Sequence, residues 1–118
     1  MGRKKNSDFH CAVEATLHVI GGKYKAIIIW KFSRQPVMRY GELQKAIPQA
    51  TAKMLTQQLK ELEMDGIVFR KLYPVVPPRT EYSLTEQGQT LVPIVNLMSE
   101  WGHGYFERMG VADPSTEA

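Results

Sequence analysis

Four polar side chains recur at helical spacing within the segment TAKMLTQQLKELEMDG at residues 51–66. Lys53, Thr56, Gln57 and Lys60 fall on one side of a helix that turns about 100° per residue, and three leucines fall on the other. Amides, hydroxyls and ammonium groups are the side chains that contact base edges and phosphates in a DNA major groove. The pattern indicates either a helix that reads nucleic acid or an ordinary solvated helix face.

A shorter helix is expected just before this one. The segment RYGELQKAI at residues 39–47 places its apolar residues on one side and should end at Pro48. Residues 48–50 then form a turn of three residues, and Thr51 is a good N-cap for the next helix. Two helices joined in this way predict a helix-turn-helix, although such hairpins are also common in proteins that bind no DNA.

Two strand-forming segments follow the second helix of this pair. IVFRKLY at 67–73 is rich in β-branched and aromatic residues, and TEYSL at 80–84 alternates polar and apolar residues. The three prolines of the intervening PVVPPR cannot donate hydrogen bonds to a sheet, so we expect a rigid protruding loop, or wing, tipped by Arg79. A helix-turn-helix followed by such a hairpin is typical of a winged helix that binds DNA.

Further helices are expected at both ends of the domain. An i, i+4, i+7 pattern predicts a first helix at 13–20, and the mostly apolar helix after Lys23 should form the centre of the core. Thr85 should cap a last helix, kinked by Pro93, whose apolar stripe is longer than one small core can cover. We therefore expect these terminal helices to form a dimer interface. Its predicted members are Val13, Leu17, Leu91, Ile94, Val95, Met98, Trp101, Tyr105 and Phe106.

The bulk composition fits one domain. With 118 residues, 43% of them hydrophobic, the chain can bury a core of its own. We predict a mainly α fold with a small antiparallel β-hairpin, an α+β class, at residues 11–109, between a flexible basic arm at 1–10 and a flexible tail at 110–118. The net charge of +3 permits nucleic acid as a partner without requiring it. The single cysteine and the lack of a long apolar run favour the cytoplasm.

Six segments, taken in order, resemble the HxlR-type winged helix-turn-helix transcriptional regulators, which are MarR-like. They are CAVE at 11–14, IGGKYK at 20–25, RYGEL at 39–43, KMLTQQLKELEMDGIVFR at 53–70, VPPRTEYSLTEQG at 76–88 and EWG at 100–102. The resemblance implies a homodimer, more often a repressor than an activator, that binds a palindromic promoter site on the nucleoid. Ala12, Tyr24 and Ala50 depart from the usual pattern at positions that concern packing.

The expected DNA contacts divide into base-reading and backbone contacts. Gln57 and Thr56 are expected to carry specificity, while Lys53 and Lys60 can reach guanine or phosphate. The wing residues and the start of the preceding helix would contact the backbone or a narrow minor groove. For Arg79 the alternative is a local pairing with Glu81. The full predicted set is Arg39, Tyr40, Thr51, Lys53, Thr56, Gln57, Lys60, Lys71 and Arg79.

Cys11 is a candidate redox sensor. It lies at the entry to the first helix, where the helix N-terminus favours a thiolate, and in some family members a cysteine at this position senses oxidants or electrophiles. The alternative is a small core residue. His10, Glu14 and His18 lie nearby at metal-ligand spacing, but one helix rarely completes a site, so neither a metal nor another cofactor is expected.

Other classes of function have less support from the residues. No nucleophile is paired with a base and no phosphate-binding loop is present, so we expect no enzyme. One alternative is a winged helix that binds protein or RNA. Another is a regulator without a redox role that holds a small ligand against Trp101, Tyr105 and Phe106.

Overall fold

The computed structural model describes residues 8–114 and shows a winged helix, which confirms the predicted fold class. Residues 1–7 of the predicted basic arm and 115–118 of the predicted tail lie outside this range. Within it, no helix is both long and apolar enough to cross a bilayer. The elements in chain order are α1 Ala12–Ile20, α2 Lys25–Arg34, β1 Val37–Arg39, α3 Tyr40–Ala46, α4 Ala52–Met64, β2 Val68–Tyr73, β3 Arg79–Leu84, α5 Glu86–Gln89 and α6 Val92–Met109.

Helix α2 is the centre of the core, as its apolar sequence predicts. Ile28, Ile29 and Phe32 are almost completely buried and belong to the same core cluster as the three leucines of α4. A helix that contacts neighbours on several sides needs apolar residues on all of them, which explains the run of isoleucines. The apolar stripe of α4 is therefore fixed against α2, and its polar side remains exposed.

The β-sheet has three strands in the order β1-β3-β2, all antiparallel. The hairpin of β2 and β3 is as predicted, but β1 adds a third strand on the other side of β3, with Met38 opposite Tyr82. The pairing of residues 37 and 38 with β3 is not predicted from the sequence. A strand of three residues is too short to carry a recognisable alternation, so its partner is set by tertiary packing.

The last helix differs from the prediction. Thr85 does cap a helix, since its Oγ1 accepts a hydrogen bond from the Gly88 N–H at 3.0 Å, but that helix is the short α5. The chain then turns, and α6 begins at Val92 with Pro93 in its first turn. Proline is tolerated there because the first N–H groups of a helix have no intrahelical partner. Pro93 therefore starts a separate helix and does not kink a longer one.

Candidate nucleic-acid interface

Helix α4 presents the polar face that the sequence predicts. The Thr51 Oγ1 accepts a hydrogen bond from the Met54 N–H at 3.1 Å, which confirms the predicted N-cap. Its leucines are buried, whereas the polar set is exposed along one side of the helix. The exposed members are Thr51, Lys53, Thr56, Gln57 and Lys60.

Tyr40 joins the two helices of the helix-turn-helix. It is the first residue of α3, and its hydroxyl donates to the Ala52 carbonyl at 3.1 Å and lies 3.0 Å from the Thr56 Oγ1. Arg39 precedes it at the N-cap, where its backbone N–H donates to the Glu42 carboxylate at 2.8 Å. Two residues of the predicted interface, Tyr40 and Thr56, are therefore in direct contact.

The N-terminus of α2 holds the opposite side of α4 and the turn before it. The Tyr24 N–H donates to the Gln58 side-chain oxygen at 3.2 Å, and the Tyr24 hydroxyl donates to the Gln49 carbonyl at 3.1 Å. One residue later, the Lys25 Nζ lies 2.5 Å from the Glu61 Oε1. These positioning residues are not among those predicted from the sequence. The sequence does contain a signal for these contacts. It is a lysine next to the apolar segment of α2, with a glutamate and a glutamine on the next long helix.

Three basic residues of the sheet surround one carboxylate. Glu81 on the central strand β3 lies directly opposite Arg39 on β1 and Lys71 on β2, and residues paired in this way share a face of the sheet. Arg79, two residues before Glu81 on the same strand, places its Nε 3.5 Å from the Glu81 Oε2. The Lys71 Nζ and the Arg79 Cζ also lie over the Tyr73 ring, at 4.9 and 4.3 Å from its centre. From the sequence, Glu81 is expected only as a partner of Arg79.

Arg79 does not form the tip of the wing, so that prediction is wrong. It is the first residue of β3 and pairs with Tyr73, the last residue of β2. The tip consists of the uncharged residues 74–78, and Val76 is 99% exposed there. The contact with Glu81 matches the alternative of a local pairing that stiffens the wing.

The opposite face of the sheet forms a cleft with α4. Arg70 and Tyr82 line this cleft together with Thr56, Lys60 and Glu63. The Arg70 Nε lies 3.5 Å from the Glu63 Oε1, and burial raises the pKa of the Tyr82 phenol, an effect that the nearby Arg70 charge opposes. The sheet residues Arg39, Lys71 and Arg79 alternate with this set, so they lie on the face turned away from α4. The predicted DNA contacts therefore fall into two groups. One group is on α4, and the other, formed by Arg39, Lys71 and Arg79, is on the far face of the sheet.

Cys11 is exposed at the N-cap of α1. It makes no capping hydrogen bond and lines a shallow depression with Phe9, His10 and Ala15. The alternative of a core residue is therefore wrong for the isolated chain. Among residues 8–114, no three histidine, cysteine, aspartate or glutamate side chains are grouped as a metal site requires.

The terminal helices expose most of the predicted dimer surface. Trp101 is 65% exposed and stacks on Tyr105, with ring centres 5.5 Å apart. Val13, Leu17, Ile94 and Met98 are also exposed, and Phe106 is half-buried.

Two members of the predicted dimer surface are buried within the chain itself. Leu91 and Val95 are buried in the core cluster of the chain itself, which corrects their assignment to the dimer surface. Leu97 and Met109 on α6 are also exposed apolar residues, and the predicted set does not include them.

The depression on the inner side of α6 has a different lining from the one expected for a small ligand. It lies between α2 and α6 and is lined by Ala26, Ile27, Trp30, Val95, Met98 and Ser99. Trp101 and Tyr105, two of the three residues named for the alternative of a small-ligand pocket, are exposed and stack on each other.

Comparison with known proteins places this site in a family. The model of the HxlR-like helix-turn-helix family matches residues 19–110. The chain is 50% identical over 105 residues to the uncharacterized HTH-type transcriptional regulator YybR of Bacillus subtilis (strain 168), covering 86% of this chain and 83% of YybR. An uncharacterized HTH-type regulator of the archaeon Methanothermobacter thermautotrophicus (strain Delta H) is 40% identical over 100 residues, covering 85% of this chain and 76% of its own.

Solved structures agree with these sequence matches. The redox regulator HypR in its reduced form superposes with a TM-score of 0.79 at 48% identity, covering 85% of this chain and 98% of HypR. Its oxidized form gives a TM-score of 0.75 at 52% identity, covering 80% and 96%. The family match extends over most of the chain and includes the whole helix-turn-helix and wing. The chain therefore belongs to the HxlR-like helix-turn-helix family of transcriptional regulators.

Proposed function

We propose that this protein binds double-stranded DNA sequence-specifically, as a homodimer on a palindromic operator in the cytoplasm. The observation that carries the proposal is the fixed orientation of α4. Its leucines are buried against α2, its N-terminus is bonded to Tyr40, and its opposite side is bonded to Tyr24 and Lys25. The polar side that remains exposed contains two lysines, two threonines and a glutamine but no acid, as a surface for base edges and phosphates requires.

A selection of bound fragments from sheared genomic DNA tests the proposal. At about 150 mM salt, where non-specific attraction to phosphates is weakened, we expect one palindromic sequence to be enriched. Gln57→Ala should then cost about 1 to 3 kcal/mol at particular base pairs and leave the others unchanged. Gln89→Ala, at an exposed glutamine on α5, is the matched control. Weak binding without any sequence pattern would contradict the proposal and favour a winged helix that binds RNA or protein.

The homodimer is supported by the exposed apolar residues of the terminal helices. Trp101 and Leu97 are 65% and 63% exposed in the isolated chain, on a helix whose inner side already contacts the core. Exposed apolar side chains concentrated on one element are typical of an association surface. In a symmetric dimer the two copies of α4 would enter successive major grooves, about 34 to 36 Å apart.

Substitution at the surface can test the dimer directly. Trp101→Ser should shift the protein toward the monomer in sedimentation equilibrium. Leu72→Ser, at a residue of β2 that is nearly as exposed, should leave the oligomeric state unchanged. Equal behaviour of the two variants would argue against a dimer through α6.

Repression is the proposed direction of regulation, because repressors are the more common members of the resembled family. A reporter gene placed behind the selected operator should lose expression when the protein is present. The Gln57→Ala variant should restore that expression. Increased expression with the wild-type protein would identify an activator.

A redox response through Cys11 is the second part of the proposal. The thiol is exposed, and the similar protein HypR is described as a redox regulator. Since the chain has one cysteine, a disulfide would link two chains or a chain and a small thiol. Forming it removes two electrons and two protons from the two thiols, which an oxidant such as diamide takes up. Mass spectrometry after mild diamide treatment should show the new bond in the wild type and not in Cys11→Ser, and an unmodified wild-type thiol would contradict the redox role.

A further inference from the structure

The hydroxyl proton of Tyr40 has a fixed direction. Its oxygen lies 3.1 Å from the Ala52 carbonyl, which can only accept a hydrogen bond, so the single phenolic proton points there. The Thr56 Oγ1 lies 3.0 Å from the same phenolic oxygen. With the phenolic proton already used, the hydrogen bond between these two hydroxyls needs the proton of Thr56. Thr56 therefore donates to Tyr40.

Thr16, the other threonine inside a described helix, shows the hydrogen bond that a threonine hydroxyl usually makes there. Thr16 in α1 donates its hydroxyl to the carbonyl four residues earlier, that of Ala12, at 2.9 Å. For Thr56 the equivalent carbonyl is that of Ala52. That oxygen already accepts the backbone N–H of Thr56 in the regular helix pattern and the hydroxyl of Tyr40, which uses both of its lone pairs. Tyr40 thus takes the place that would otherwise receive the threonine proton.

Thr56 consequently presents only acceptors and a methyl group to solvent. It is exposed in the N-terminal half of α4, beside Gln57 and Lys53, where recognition helices contact base edges. Phosphate oxygens only accept hydrogen bonds, so this hydroxyl cannot serve a phosphate while its proton is bound to Tyr40. The donors in the major groove are the amino groups of adenine N6 and cytosine N4.

We propose that Thr56 is a specificity-determining residue that accepts a hydrogen bond from the amino group of an adenine or cytosine, with Tyr40 as the positioning residue that sets this polarity. The inference rests on the proposed function. It makes the expected specificity role of Thr56 more precise, because this hydroxyl accepts a hydrogen bond from a base and does not donate one to a phosphate. It also predicts that one position in each half-site is restricted to adenine or cytosine on the contacted strand.

Base analogues in the selected operator provide the test. Purine in place of adenine, or 2-pyrimidinone in place of cytosine, removes only the amino group. At one position in each half-site this change should weaken wild-type binding about fivefold, since it removes one hydrogen bond. Thr56→Val, which keeps the shape and lacks the acceptor, should bind the unmodified operator and the operator with the analogue equally. Thr56→Ser, which keeps the hydroxyl, should respond as the wild type does.

The outcomes separate this inference from the proposed function. If removal of each amino group changes the affinity of the wild type and of Thr56→Val equally, the proposed role of Thr56 is wrong. Sequence-specific binding would remain intact in that case. The same holds if Thr56→Val responds to loss of a guanine or thymine keto oxygen differently from the wild type, because Thr56 would then be a donor. Failure to select any operator overturns both proposals.

Discussion

Removal of the Glu61 charge should destabilise the fold more than removal of its lysine partner. The Lys25 Nζ and the Glu61 Oε1 are 2.5 Å apart, and the side chains are 4% and 27% exposed. Glu61→Gln leaves a buried ammonium group without this carboxylate, whereas Lys25→Met leaves a carboxylate that water can still reach. A buried charge deprived of its partner costs about 3 to 5 kcal/mol, and the partial exposure of Glu61 favours the lower end of that range.

We therefore expect Glu61→Gln to lower the free energy of unfolding by about 3 kcal/mol and Lys25→Met by about 1 kcal/mol. The first value is a large part of the roughly 5 to 15 kcal/mol that stabilises a typical domain. It should lower Tm by on the order of 10 °C. Because the pair joins α2 to α4, Glu61→Gln should also raise the Kd for the operator without changing which bases are preferred.

Urea denaturation of the two single variants and the double variant, at one fixed protein concentration, measures these values as a double-mutant cycle. The double variant should have a free energy of unfolding close to that of Lys25→Met. With methionine at position 25 there is no buried ammonium group that the neutral glutamine could leave without its partner. Equal losses in the two single variants would refute the argument, since the asymmetry follows from the unequal burial. So would a loss below about 1 kcal/mol for Glu61→Gln, because the pair would then behave as a surface ion pair.

Three further predictions follow from the sheet and its surroundings. Glu81→Gln should strengthen binding to random DNA and steepen its salt dependence, as measured by titration at several salt concentrations, because the three surrounding basic residues lose a neutralising charge. Gly88→Ala should destabilise by about 1 to 3 kcal/mol in thermal denaturation, since a Cβ there would lie 2.2 Å from the Ile67 carbonyl oxygen, whereas Gly41→Ala, with open space around it, should be neutral or slightly stabilising. Stability should fall as pH rises above about 10, where the unfolded state releases the Tyr82 proton more readily than the folded state, and this loss should be smaller in Tyr82→Phe.

The features that the sequence predicts correctly depend on neighbours along the chain. The leucine stripe of α4 and its cap at Thr51 are set within about one turn of helix, so periodicity and residue preference are sufficient. The same holds for the prolines that exclude strand pairing in the wing. Membership of the family rests on six such local segments, each recognisable without its partners.

The features that the sequence does not predict depend on distant parts of the chain. The Tyr40 and Thr56 hydroxyls are 16 residues apart, and Glu81 meets Arg39 only because β1 pairs with β3. The break before α6 has a related cause. Leu91 and Val95 are drawn into the core, while later residues of the same apolar stripe are exposed. Periodicity identifies such a stripe but does not show where the chain must turn to divide it.

The position of β2 at an edge of the sheet also affects how the protein avoids aggregation. Among residues 8–114 no strand pairs with its outer edge, which is flanked by the exposed apolar side chains of Phe69 and Leu72. Such an edge can pair with the same strand of another molecule, which starts amyloid-like assembly. Arg70 and Lys71 occupy the middle of the strand, so edge-to-edge pairing would bring like charges together, and the prolines of the wing prevent its extension. Neutral substitutions at these two residues should therefore reduce solubility even where the fold is unchanged.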